Sequence, residues 1–90
     1  MANKRSLKKR LNNVASELFA ECVAAYLEVQ DEDITQLDDI LTAILKTHRE
    51  YVERVSSPEP GMSKKLYYQI LWKDFNKHVE EIRDNIKALS

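Results

Sequence analysis

The sequence predicts an all-α fold, a three-helix antiparallel bundle running up, down and up, and three observations lead there. Apolar residues recur in alternating steps of three and four along three separate stretches, as one face of a helix demands. One Gly and two Pro in 90 residues, against 32% charged residues, leave little of the material that strands and turns consume. Short polar breaks separate the stretches, and short connections make consecutive helices antiparallel.

The first stretch runs Leu7, Leu11, Val14, Leu18, Cys22, Ala25 and Val29, which predicts a helix over about residues 4–29. A second row, Ala15, Phe19, Val23 and Tyr26, widens the stripe beyond a coiled-coil seam toward a face that meets two neighbours. The second helix is expected over about 33–56. Asp33 and Gln36 form a capping-box pattern at its start, and Ile34, Leu37, Leu41, Ile44, His48, Tyr51 and Val55 step 3, 4, 3, 4, 3, 4 along it. Ile40, Leu45 and Val52 broaden that row. Ser56-Ser57-Pro58-Glu59-Pro60-Gly61 ends the helix, because proline disfavours helical geometry before it and glycine permits a reversed backbone. Ser63 then caps a third helix over about 64–89, with Leu66, Ile70, Leu71, Phe75, Val79, Ile82, Ile86 and Leu89 at helical spacing.

At 1.5 Å per residue each helix is about 35–40 Å long. A chain of this size reads as a single domain over 1–90 that buries only about 60–65% of its unfolded surface, so pairing with a second chain is a natural source of stability. An interlocked helical dimer is the main structural alternative. The lone Cys22 forms no internal disulfide, and no apolar signal-peptide core follows the basic start, which together point to a reducing cytoplasm. No run approaches the roughly 18 apolar residues of a membrane span, so no membrane partner is expected.

Charge is distributed unevenly. The formal net charge is −1, yet residues 1–11 carry +5 and residues 31–45 carry −5. An up-down-up bundle brings Lys4, Arg5, Lys8 and Lys9 to the same end as Lys64 and Lys65, and gathers Glu28, Asp31, Glu32, Asp33, Asp38, Asp39, Glu80, Glu81 and Asp84 at the other. Carboxylates at the start of the second helix complement its dipole. Cations in the first turns of the first and third helices oppose theirs, so helix stability alone does not account for the basic end. The favoured reading is a solvated, frayed N-terminal turn whose lysines keep the protein soluble, and the alternative is that free N–H groups beside these six basic residues make a candidate site for an anionic or acidic partner.

Catalytic chemistry finds little support. His48 falls on an apolar row, where an imidazole hydrogen-bonds across a core. His78 with Glu81 lacks the further ligands that zinc requires, and neither histidine follows a Glu by three residues as bundle di-iron sites need. Cys22 has no basic residue within a turn to activate it. Glycine-rich phosphate loops, nucleophile elbows and Cys-x-x-Cys spacing are absent from the sequence. No enzyme, metal or cofactor is expected. Tyr67, Tyr68 and Trp72 exceed what a narrow core row holds; the favoured reading is that they widen the core, and the alternative makes them interface aromatics beside Lys64, Lys65 and Lys73.

The run Glu17-Leu18-Phe19-Ala20-Glu21-Cys22-Val23-Ala24-Ala25, the turn Ser57-Pro58-Glu59-Pro60-Gly61-Met62, and Tyr67-Tyr68 with Phe75-Asn76 resemble a group of short bacterial proteins of unassigned function. The resemblance spans nearly the whole chain and implies a small bacterial cytoplasmic helical protein. It carries over no catalytic or binding residue. The expected function is a non-catalytic module that binds another protein or a second copy of itself. The alternative is nucleic-acid or other polyanion binding at the basic end, against which the near-zero net charge weighs.

Overall fold

Ser63 shows how locally this fold is written. Its side-chain Oγ accepts a hydrogen bond from the Leu66 backbone N–H at 3.1 Å, which satisfies one of the free donors at the start of a helix and stabilises it by about 1 kcal/mol. Just before it, the Met62 N–H bonds the Glu59 carbonyl at 3.4 Å around Pro60 and Gly61. Gly61 has φ +86°, the left-handed value that the third residue of a type II turn requires and that an L side chain resists. The computed structural model describes residues 4–89. The expected domain of 1–90 also includes residues 1–3 and 90, which lie outside the described ones.

Three helices make up the bundle: α1 over Lys4–Tyr26, α2 over Ile34–Ser56 and α3 over Lys64–Ala88. Cross-helix contacts fix their directions. Cys22 of α1 lies against the Leu37 carbonyl and Asn12 against His48, so α1 and α2 are antiparallel. Tyr51 packs on Phe75, and the Tyr67 hydroxyl reaches the Arg54 carbonyl, so α2 and α3 are antiparallel. Arg10 lies over the Trp72 ring while Arg83 pairs with Glu17 and Glu21, so α1 and α3 run the same way. The result is an up-down-up rod of 49 × 18 × 16 Å.

One core cluster runs along the rod, with Leu11, Leu37, Val55 and Leu71 fully buried and Leu18, Ile44, Phe75 and Val79 nearly so. Val14, Ile40, Leu41, Val52, Met62, Trp72 and Leu89 pack partly buried against it.

Two expectations at the α1–α2 junction are corrected. The first helix stops at Tyr26, because Leu27 projects into solvent and the N–H groups of Leu27 and Glu28 turn back to carbonyls three residues earlier, closing the last turn tightly. The capping box of Asp33 and Gln36 does not form. A 3₁₀ turn over Asp31–Asp33 leads into α2, holding Asp33 in helical geometry (φ −92°, ψ −6°) where its side chain makes no cap hydrogen bond. Its N–H bonds the Gln30 carbonyl at 2.9 Å instead. Asp31, Glu32 and Asp33 still place negative charge before α2, where the dipole favours it.

A candidate docking groove between α1 and α2

Of the two rows predicted to widen the core, Tyr26, Ile40 and Val52 pack against it, whereas Phe19, Val23 and Leu45 do not. Phe19 is 38% exposed, Val23 49% and Leu45 52%. The second row of α1 instead sits at the edge of the core, where half-buried Ala15 and exposed Phe19 border Ile44 and Leu45 of α2. A bundle with a fourth helix would cover it; three helices leave it open. Leu66 and Ile70 of α3 are likewise exposed, on the face turned away from the core.

Between α1 and α2 this geometry leaves a groove of about 560 Å³. Ile44 and the small side chains of Ala15, Ser16 and Ala20 line it, Phe19 and Leu45 stand at its rims, and Asn12 and His48 supply its polar groups. The Asn12 Oδ1 and a His48 ring nitrogen meet across α1 and α2. His48 is therefore half-buried and bonded, as expected of an imidazole on an apolar row, yet it borders the groove rather than the centre of the core.

Toward the α1–α2 junction, the Tyr26 hydroxyl donates to the Asp38 carboxylate. That bond, with burial and the Asp38 charge adding to it, pushes the Tyr26 phenol up to about 12. A phenol whose folded pKa exceeds its unfolded value contributes stability that is complete below about pH 10 and lost as pH rises from 10 toward 12. Asp38→Asn is expected to move the Tyr26 titration back toward its ordinary value, and NMR of ring-labelled tyrosine would read the shift. An unmoved titration would mean that the hydrogen bond does not hold the proton.

The candidate interface aromatics are largely internal. Tyr67 and Tyr68 are buried, in keeping with the reading that they widen the core and against an interface role for these two. Their hydroxyls explain the burial. Tyr67 Oη donates to the carbonyls of Arg54 at 3.0 Å and Ser57 at 3.4 Å, and Tyr68 Oη to that of Val55 at 3.5 Å. These carbonyls lie at the C-terminal end of α2, where the Ser57 N–H also bonds that of Arg54 at 3.3 Å, and the tyrosines cap α2 from α3. Trp72 is half-buried, stacked on Phe75 at 5.9 Å between centroids and covered by the Arg10 guanidinium 4.2 Å from its ring. It joins α1 to α3 and presents only part of its surface.

Of the six basic candidates, Lys4, Arg5 and Lys9 are exposed and Lys8 half-buried on α1, and Lys64 and Lys65 are exposed at the start of α3. The up-down-up topology places all six at one end of the rod. The acidic cluster of Glu28, Asp31, Glu32, Asp33, Asp38 and Asp39 lies toward the other end, and Arg83 of α3 joins Glu17, Glu21 and Glu80 at 3.6, 3.2 and 3.9 Å in partly exposed pairs worth at most about 1 kcal/mol each.

The reactive side chains stand apart. Cys22 is buried, and desolvation, with Asp38 adding to it, pushes its thiol up and away from the nucleophilic thiolate. His78 is exposed and packs edge-on to Tyr51 at 5.8 Å. Among the described residues no group of three or more His, Cys, Asp or Glu side chains is arranged to hold a metal ion, and no helix is long and apolar enough to cross a membrane. Comparison with protein-family models, curated proteins and solved structures finds no match to this chain.

Sequence reasoning missed the groove because it assigned Phe19, Val23 and Leu45 to the core. The signal was present in the widths of the stripes: α1 and α2 each carry more apolar surface than a partner on either side of them covers.

Proposed function

We propose that this chain is a non-catalytic helical interaction module that receives an amphipathic helix, from another protein or from a second copy, in the groove between α1 and α2. One observation carries the reading: Phe19 and Leu45 remain exposed along a groove whose lining is mostly apolar, and Val23 is exposed one turn further along α1. Helix-in-groove recognition needs such a channel, with apolar anchors at spacings of three, four and seven on the incoming helix. Burying those side chains gains roughly 25 cal/mol for each Å² removed from water. The raised thiol of Cys22 and the separation of His48 from His78 on different helices favour binding over catalysis. A reducing cytoplasm suits the lone thiol.

The test is a low-salt pull-down from bacterial lysate with wild type and with the Phe19→Ser/Leu45→Arg variant, whose helicity is checked by circular dichroism. Capture of the same protein by wild type alone is the expected result. Capture that ignores the groove substitutions would overturn the reading. Recovery of nuclease-sensitive material that salt releases would also overturn it, in favour of polyanion binding through Lys4, Arg5, Lys8, Lys9, Lys64 and Lys65.

A further inference from the structure

We infer that the occupant of the α1/α2 groove is a second copy of this chain, lying antiparallel so that the basic end of each copy covers the acidic end of the other. The inference rests on the interaction reading above and names the partner. Charge along the groove carries it. Arg5, Lys8 and Lys9 stand seven residues before Asn12, Ala15 and Ser16, all of which line the groove, so the α1 side of the channel runs directly into basic residues. At the far end Glu28, Asp31 and Glu32 lie in or beside the junction that joins the two helices bordering the groove, and Asp38 stands seven residues before Leu45. On the α2 side of the basic end, Arg49 and Glu53 pair with each other at 3.8 Å and leave the balance of charge to α1.

Leu45 is the central residue of α2, so the apolar part of the channel lies midway between the two charged ends. A two-fold axis through that point sets Phe19 and Leu45 against their counterparts and opposes Arg5, Lys8 and Lys9 to Glu28, Asp31, Glu32 and Asp38 twice over. Parallel alignment sets like charges together at both ends. The antiparallel arrangement is isologous and closes as a dimer, leaving no groove open for a third copy. A face of 49 × 18 Å is on the scale of the roughly 800 Å² that each partner contributes to a standard interface.

Sedimentation equilibrium over a wide concentration range tests this with the full chain. Wild type is expected to dimerise, and Leu45→Arg, which brings two cations together at the axis, to remain monomeric. Lys8→Glu/Lys9→Glu is expected to weaken the dimer on the order of tenfold or more. Glutamates near the start of α1 complement its dipole, so this loss is not a loss of folding. Adding Asp31→Lys/Glu32→Lys to the same chain restores opposite charge at both ends and should recover most of the affinity, which a parallel dimer would not do. A wild type that stays monomeric, a dimer indifferent to charge reversal, or a four-fold variant that fails to recover would each overturn the inference. If wild type is monomeric while groove substitutions still abolish capture of another protein, the second copy is wrong and the interaction module stands. If neither self-association nor capture depends on the groove, both fall.

Discussion

Phe75→Ala is expected to lower folding stability by about 3–5 kcal/mol, the range for deleting a buried aromatic ring and leaving its space unfilled. Phe75 is 1% exposed in the core cluster to which all three helices contribute. Its ring lies edge-on to Tyr51 of α2 at 5.3 Å and stacks on Trp72 at an interplanar angle of 29°, and Arg10 of α1 covers Trp72. Removing it takes away the transfer free energy of the ring and the geometry on which both neighbours pack. A domain of this length has on the order of 5–13 kcal/mol of stability in all, so the variant would stand close to the edge of folding. Urea unfolding followed by circular dichroism should show the midpoint falling by more than about 1 M with little change in slope. A much smaller shift would mean that the junction of the three helices is not where the structure puts it.

Tyr68→Ala is expected to cost about 3 kcal/mol, while Leu45→Lys, measured at a dilution where the chain is monomeric, should stay within about 0.5 kcal/mol of wild type. The contrast separates core from docking surface. Tyr68 is 6% exposed and its hydroxyl serves the Val55 carbonyl, whereas Leu45 is 52% exposed at the groove. Tyr68→Phe keeps the ring and removes only the hydrogen bond, so its cost should stay near 1 kcal/mol. If Tyr68→Ala left stability untouched and altered association instead, the tyrosine would belong to an interface and the capping of α2 by α3 would be wrong. The concentration at which Leu45→Lys is measured matters, because a substitution that blocks dimerisation lowers apparent stability through mass action alone.

Several features were legible because each depends on residues close together in the chain. Ser63 as a cap, and Pro60-Gly61 as a turn, need only their immediate neighbours, and both are found as expected. The α1–α2 junction failed the same kind of reading. Asp33 and Gln36 have the right spacing for a capping box, but the backbone entered α2 through a 3₁₀ turn and met its donors with main-chain carbonyls. A short-range pattern names the groups available; the direction from which the chain arrives decides whether they are used.

The candidate site divides along the same line. The basic and acidic ends follow from charge positions and the order of the helices, since an up-down-up path leaves no other placement for Lys4, Arg5, Lys8 and Lys9 relative to Lys64 and Lys65. The role of Tyr67 and Tyr68 did not follow, because their partners are carbonyls exposed only when α2 ends and α3 folds back across that end. Spacing marked the pair as wider than one apolar row and left core and surface both open; the phenol hydroxyls, each with a carbonyl to serve, made burial possible.

By itself, then, the sequence determined three amphipathic helices, their order, the turn between the last two and a rod with charges of opposite sign at its ends. Periodicity suffices for these because a helix face is built from the local step of 3.6 residues. Which apolar rows found a neighbour was decided only by tertiary structure. Leu18, Ile44 and Phe75 are buried while Phe19 and Leu45, one residue from two of them, remain exposed. Residues one apart differ by about 100° around a helix axis, and whether that rotation ends in a core or in water depends on how many helices pack alongside. Three do here, and the groove between α1 and α2 is the space a fourth would fill.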